Sequence, residues 1–202
     1  KKFEKIVIIG MGGSILGAES IYYFLKKKIK KKFFFFSDLN IEKINKFKKS
    51  VNSSKTLFIV ISKSGNTIET LVNFLALNKL KKKQKNIILI SEKRDNILFS
   101  FSQKFDLFYI EHKNYIGGRY SVLSEVGMIP AYLMGLSIFK IRKNLKNFLF
   151  NKEFKLLQSS VLNLSNTLIK NKLNNLILLN YAPQLEKFLY WYQQLIAESL
   201  GK

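Results

Sequence analysis

Four short apolar runs, each closed by small or polar residues and followed by a helix-type pattern, restrict this chain more than any other feature. They are Ile6-Val7-Ile8-Ile9, Phe33-Phe34-Phe35-Phe36, Thr56 to Ile61, and Asn86 to Ile90. The runs are continuous rather than alternating, as in strands buried on both faces. Between them, Leu16 to Leu25, the Ile41/Ile44/Phe47 spacing and Thr67 to Leu80 read as helices. A fifth strand is expected over Phe105 to Ile110. Strands alternating with helices predict an α/β fold: a doubly wound parallel sheet, right-handed crossovers, and helices on both faces. In the common order 2-1-3-4-5 the topology reverses between strands 1 and 3, and ligands bind there, beyond the carboxyl ends of the strands.

The turns after those two strands are the chemically unusual ones. In Ile59-Val60-Ile61-Ser62-Lys63-Ser64-Gly65-Asn66-Thr67-Ile68-Glu69-Thr70, an apolar run stops abruptly in hydroxyls, one Lys and one Gly. A strand, a polar turn and a helix N-terminus converge backbone N–H groups and hydroxyls on one point, which suits a phosphate. It is not the nucleotide-type loop, because GxxxxGK[ST] is absent. An ordinary N-capped turn could use the same residues. The turn after strand 1, Gly10-Met11-Gly12-Gly13-Ser14, approaches GxGxxG, and Asp38 could serve as the acidic partner of a dinucleotide ribose. However, the final Gly is replaced by Ile15, and a dinucleotide leaves Ser62-Lys63-Ser64 unexplained. A phosphorylated sugar ranks above it.

Beyond the sheet comes Tyr115-Ile116-Gly117-Gly118-Arg119-Tyr120-Ser121, then an apolar stretch from Val122 to Phe139. That stretch approaches the length of a membrane span. It carries Ser124, Glu125, Pro130 and Ser137, so a buried core helix is expected, with Glu125 either a satisfied polar group or a neighbour of the site. A polar helical connection follows over 140–172. Asn175 to Asn180 reads as a new strand and Gln184 to Leu200 as an amphipathic helix. The expected organisation is a first domain over 1–139, the connection, and the beginning of a second α/β domain over 173–202.

The formal net charge is +22, from 35 Lys+Arg against 13 Asp+Glu. Such a balance can signal a nucleic-acid or membrane partner. Here it sits in Lys runs such as Lys26 to Lys28 and Lys81 to Lys83, alongside heavy use of Asn, Ile and Phe, all with AT-rich codons. Solvated helix ends under compositional bias explain it, and neither a nucleic acid nor a membrane is expected as a partner. With no Cys and one His, His112, neither a thiolate nor a His-rich metal site can form. No signal peptide is read at the start, and a cytoplasmic setting is expected.

Three segments taken together carry a family resemblance: the loop at Ser62, Gly117-Gly118-Arg119-Tyr120-Ser121, and Trp191-Tyr192-Gln193-Gln194-Leu195-Ile196-Ala197-Glu198-Ser199-Leu200-Gly201-Lys202. With the GGSxLG turn at Gly12 to Gly17, they stand in the order found in the glucose-6-phosphate isomerase family, built on sugar-isomerase (SIS) domains. Each motif alone is modest; four in order are specific. The resemblance covers the chain and matches the N-terminal part of that family. It implies that Gly13 and Ser14 meet the substrate and that Ser62, Lys63, Ser64 and Thr67 hold its phosphate. It implies too that Arg119 sits beside the reacting carbons, that Gln194 contacts substrate, and that Glu198 transfers the proton. The implied reaction is the reversible isomerisation of glucose 6-phosphate to fructose 6-phosphate in glycolysis and gluconeogenesis, with no cofactor or metal and in a homodimer.

The residue types suit that chemistry. One proton moves between adjacent carbons through an enediolate, and general base catalysis by a carboxylate contributes about 100- to 10,000-fold. The developing oxyanion needs a fixed positive charge, which Arg provides without giving up its proton. The family's ring-opening His and a further catalytic Lys lie downstream of the matched stretch, so residues 1–202 alone are expected to be inactive, with Glu198 poorly fixed. A dual phosphoglucose/phosphomannose isomerase and a non-catalytic phosphosugar-sensing SIS module are the alternatives. His112 is not the ring-opening His and is expected to be structural.

Overall fold

A computed structural model describes residues 3–50, 52, 55–78, 80–170 and 175–201. The chain divides into two compact units, residues 1–136 with 182–202, and residues 137–181.

The first unit contains five strands: β1 (Lys5–Ile9), β2 (Lys32–Phe36), β3 (Thr56–Ile61), β4 (Ile87–Ser91) and β5 (Phe108–Glu111). All neighbouring pairs are parallel, as the sequence predicts, and the order is β2-β1-β3-β4-β5, the common order assumed above. Ile6 stands between Phe33 and Leu57, and Ile8 between Phe35 and Ile59. Successive side chains of a strand point to opposite faces, so the continuous runs feed two cores. Ile6, Ile8, Leu57, Ile59 and Ile61 face α1 (Leu16–Phe24) and α5 (Glu125–Leu133) through Ala18, Tyr22 and Val126. Val7, Ile9, Phe58, Val60 and Leu89 face α2 (Ile41–Ser50), α3 (Ile68–Leu77) and α4 (Ile97–Phe105) through Phe47, Phe74 and Leu98. In the edge strand β2 the phenylalanines divide likewise: Phe33 and Phe35 pack on Tyr22, and Phe34 and Phe36 edge-on to Phe47.

The helix α4 has no counterpart in the sequence reading. Its signals are Asn96, whose side chain accepts from Phe99 N at 2.9 Å, and Asp106, which ends it in the left-handed region at φ 51°. The strand expected from Phe105 therefore starts at Phe108. The apolar stretch Val122 to Phe139 is likewise not one buried helix. A 3-10 turn runs over Gly118–Leu123, Ser124 caps α5, and Gly135 at φ 84° stops it. Gly135 N bonds Tyr132 O at 2.9 Å and Leu136 N bonds Ala131 O at 3.1 Å, the paired closure that a left-handed glycine permits. Phe139 is 76% exposed.

The second unit holds α6 (Ile138–Arg142), α7 (Leu145–Phe150) and α8 (Lys152–Lys170). Asn175 to Asn180 does not form the expected strand. It is irregular, with Ile177 at 79% and Leu179 at 73% exposure. An apolar run becomes a strand only where an edge accepts its N–H and C=O groups, and among the described residues the sheet ends at β2 and β5 without it. Helix α9 (Glu186–Leu200) packs on α1 within the first unit.

Candidate active site

The turns after β1 and β3 leave the sheet side by side at its carboxyl edge. Gly10 marks the contact: a Cβ there would lie 2.9 Å from Ile61 O. Beyond it, Gly12 to Ser14 form a 3-10 turn, with Gly12 at φ 50°. The Ser14 hydroxyl caps no helix, since Ile15 holds the cap position of α1.

In the turn after β3 the hydroxyls gather. Ser62 Oγ lies 2.8 Å from Thr67 Oγ1 and 3.4 Å from Ser64 Oγ, and Ser64 Oγ lies 3.5 Å from Thr67 Oγ1. Thr67 stands at the cap position of α3, yet its side chain makes no capping bond and turns into this cluster. The first-turn N–H groups of a helix have no intrahelical acceptor, so donors of both kinds are available to an anion. Gly65, at φ 71°, makes the bend. Its N–H bonds Ser62 Oγ at 3.1 Å, and a Cβ on it would collide with the Asn96 carboxamide.

That contact belongs to a brace between the turn and the start of α4. Leu98 N bonds Gly65 O at 3.2 Å and Ile97 N bonds Asn66 Oδ1 at 2.9 Å. The buried Asn96 donates to Glu92 O at 2.8 Å and to Arg94 O at 2.9 Å. The Lys63 side chain joins this brace. Its amine lies 3.5 Å from Glu92 Oε1 and donates to Asn114 O at 3.0 Å, so only its backbone is placed to face a phosphate. Asn66, Glu92 and Asn96 escape sequence reading because nothing local signals a bond between residues about thirty positions apart.

A second cluster forms where Gly117 to Ser121 meets the β1 turn and α9. A Cβ on Gly13 would collide with the backbone of Gly118 and Arg119, and one on Gly12 would lie 2.8 Å from Gln194 Nε2. Both glycines therefore let three segments close on each other. Ser121 Oγ donates to Gly118 O at 2.6 Å and to Gly13 O at 3.3 Å.

In this cluster Arg119 Nη1 donates to Glu198 Oε2 at 3.1 Å, and Gln194 Nε2 donates to Glu198 Oε1 at 2.6 Å. Each carboxylate oxygen is thus engaged, contrary to the expectation that Glu198 is poorly fixed. The pair is open to solvent, with Arg119 at 25% and Glu198 at 46% side-chain exposure, so the ion pair itself adds only about 0–1 kcal/mol. Its value is geometric. Arg119 Nε also donates to Ser199 Oγ at 3.2 Å, and the guanidinium lies 4.8 Å from the Tyr120 ring centre. Tyr120 and Glu198 beside it hold the Arg119 pKa above its ordinary value. Ser199 and Arg119 hold the Tyr120 phenol below its ordinary value. Sequence reading places Tyr120 and Ser199 inside the motifs without giving them a part. Their positions next to Arg119 and Glu198 are the available signal.

His112 is buried, its backbone N–H on Ser91 O at 2.7 Å and its Nδ1 3.0 Å from Lys113 O. Glu125 accepts from Lys113 N at 3.4 Å. Among the described residues no helix is long and apolar enough to cross a membrane.

The chain is 32% identical to the glucose-6-phosphate isomerase of Methanocaldococcus jannaschii over 99% of its own length and 51% of that protein's. It is 34% identical to that of Borreliella burgdorferi, over 100% and 41%. It thus spans about half the length of the curated relatives it matches. Among solved structures, a hypothetical protein of Thermus thermophilus superposes with a TM-score of 0.83 at 27% identity, over 99% of this chain and 50% of that one. A glucose-6-phosphate isomerase from Chlamydia trachomatis gives a TM-score of 0.56 at 25% identity, over 69% of this chain and 27% of that one. The phosphoglucose isomerase family model matches residues 1–202, and the chain belongs to that family.

Proposed function

We propose that this chain supplies the phosphate cradle and the proton-transfer pair of an aldose–ketose isomerase that interconverts glucose 6-phosphate and fructose 6-phosphate. The observation that carries this reading is the junction of Arg119, Gln194 and Glu198. Segments 79 positions apart in sequence meet to hold one carboxylate beside one guanidinium. A module that only senses a phosphosugar has no use for that pair. Family membership and the names of the relatives support the same reaction.

In this reading Ser62, Ser64, Thr67 and the N-terminus of α3 take the phosphate, with the Lys63 backbone beside them. Gly13 and Ser14 approach the sugar, and the uncapped Ser14 hydroxyl is available to one of its oxygens. Glu198 removes the proton from C2 of the open-chain aldose. Electrons move into the C1–C2 bond, and the carbonyl oxygen at C1 gains negative charge opposite Arg119. Glu198 then returns its proton to C1 while the proton of the C2 hydroxyl passes to the oxygen at C1, so that C1 becomes the hydroxymethyl carbon and C2 the carbonyl of the ketose. Gln194 donates to the oxygen of Glu198 that Arg119 does not hold, which orients the carboxylate. Stabilisation of an oxyanion by a preplaced donor contributes about 3–4 kcal/mol in comparable sites.

Turnover belongs to the longer protein, in which residues 173–202 would join a second SIS-type domain and two copies would form a homodimer. Glycolytic use, a cytoplasmic setting and no need of a nucleic-acid or membrane partner complete the reading. The test is a coupled assay of fructose 6-phosphate conversion by the full-length protein, beside Arg119→Ala. Turnover that collapses in the variant is expected. Wild-type protein that binds fructose 6-phosphate without converting it would replace the enzyme reading by the sensing one.

A further inference from the structure

Helix α9 carries more than its carboxylate. At 100° per residue, Lys187, Trp191, Gln194 and Glu198 fall within about 60° of one another on a single face. Every one of them touches the rest of the first unit. Lys187 O accepts from Ser20 Oγ of α1 at 2.9 Å, Gln194 lies against Gly12, and Glu198 pairs with Arg119. The remaining contact is Trp191, whose indole N–H donates to the backbone carbonyl of Arg119 at 2.8 Å. An indole has one donor and no acceptor, so this bond fixes the ring relative to one peptide. That peptide belongs to the residue whose guanidinium meets Glu198, seven positions along the same helix.

The two ends of Arg119 are therefore held by one helix face, the backbone by Trp191 and the side chain by Glu198. The rest of the stripe is poor in such anchors. The Ser20 bond is to a helix carbonyl, the Lys187 amine lies over the Tyr190 and Tyr23 rings at 5.1 and 6.0 Å from their centres, and the Gln194 carboxamide is engaged with Glu198 itself. Phe188 packs edge-on to Trp191 with ring centres 5.7 Å apart, a second contact on the indole.

We propose that Trp191 is a positioning residue of this site: its bond to the Arg119 carbonyl sets the height and rotation of α9, so that Glu198 and Arg119 address the same carbon atoms. The inference rests on the isomerase reading of the pair. It concerns geometry during proton transfer and not the phosphate cradle, which lies in the turn between β3 and α3. Loss of the donor should therefore reach kcat and spare phosphosugar affinity, because misplacement of a catalytic group by about 1 Å costs on the order of 100-fold.

The experiment uses Trp191→Phe in the full-length protein, which keeps an aromatic ring and removes the N–H. Expected is a kcat for fructose 6-phosphate lowered about tenfold or more, with KM within about twofold and the melting temperature nearly kept. Unchanged kcat overturns the proposal, as does a fall in activity that only follows a loss of folded protein. If the variant does not fold, the wild-type indole N–H resonance of Trp191 is followed by NMR. It should shift on adding fructose 6-phosphate and stay in place with inorganic phosphate; no shift with the phosphosugar overturns the proposal. A wild-type protein without turnover would instead defeat the isomerase reading, so the two failures remain distinct.

Discussion

Three glycines separate backbone strain from collision and so measure how firmly the phosphate turn is built. A Cβ on Gly118 meets nothing within 4 Å and its φ is not positive. Gly118→Ala should change stability by no more than about 0.5–1 kcal/mol, in the stabilising direction if the unfolded chain loses freedom. Gly135 also has open space, but φ is 84°, so alanine there costs about 1–2 kcal/mol of left-handed strain alone. Gly65 combines φ 71° with collision against the Asn96 side chain. Asn96 cannot yield cheaply, because its carboxamide holds Glu92 O, Arg94 O and Phe99 N. Moving it forfeits a helix cap of about 1 kcal/mol and about another 1 kcal/mol of hydrogen bonding. Gly65→Ala should therefore cost about 3–4 kcal/mol in all. Urea unfolding at a common slope gives the three values, and titration with fructose 6-phosphate gives the second readout. Gly65→Ala should lose affinity; Gly135→Ala should keep it. A Gly65→Ala protein no less stable than Gly135→Ala, or one with wild-type affinity, would refute the braced-turn argument.

The other predictions are simpler. Ser64→Ala with Thr67→Ala should weaken fructose 6-phosphate by about tenfold or more and leave unphosphorylated fructose unaffected, compared by calorimetric titration; equal loss for both ligands would remove the phosphate assignment. Arg119→Lys should lower kcat well beyond any change in KM, because a compact ammonium cannot reproduce the planar fork whose separate nitrogens reach Ser199 and Glu198. The carboxyl of Glu19, buried in α1, has its pKa raised chiefly by burial and lowered in part by Lys187 and Lys43. The folded state then binds this proton more tightly than the unfolded chain, so Glu19 subtracts stability as pH rises from the ordinary carboxyl value through its raised one. Glu19→Gln should raise the melting temperature near pH 7 and flatten its decline above the ordinary carboxyl range; a lower melting temperature at pH 7 would contradict the assignment.

The parts of the fold that a sequence states are those written in one local pattern. The β1, β2, β3 and β4 runs are continuous because both faces are covered, and the two small-residue turns fall where the strand order reverses. What failed depended on neighbours. Asn175 to Asn180 has the composition of a strand, but its apolar side chains stand exposed and it lies outside the five-stranded sheet. The stretch Val122 to Phe139 has the hydrophobicity of one helix, yet Ser124 and Gly135 cut it, and those two residues were readable as a cap and a stop. The start of β5 was misplaced because Phe105 is apolar both as the last residue of α4 and as a strand former, and Asp106 decides between them. In the candidate site, the hydroxyl turn and the segments that carry Arg119 and Glu198 are visible in the sequence. The use of Lys63 was not, because its amine answers to Glu92, which lies 29 positions away in sequence.

The central claim is that Glu198, held between Arg119 and Gln194, carries the proton between C1 and C2. Its most direct test is exchange of the C2 proton of glucose 6-phosphate into deuterated water, catalysed by the full-length protein and by Glu198→Gln. The glutamine keeps the size and one acceptor oxygen but cannot accept the proton, so exchange and isomerisation should fall together by about 100-fold or more while substrate affinity changes little. Exchange at the wild-type rate in Glu198→Gln would contradict the account.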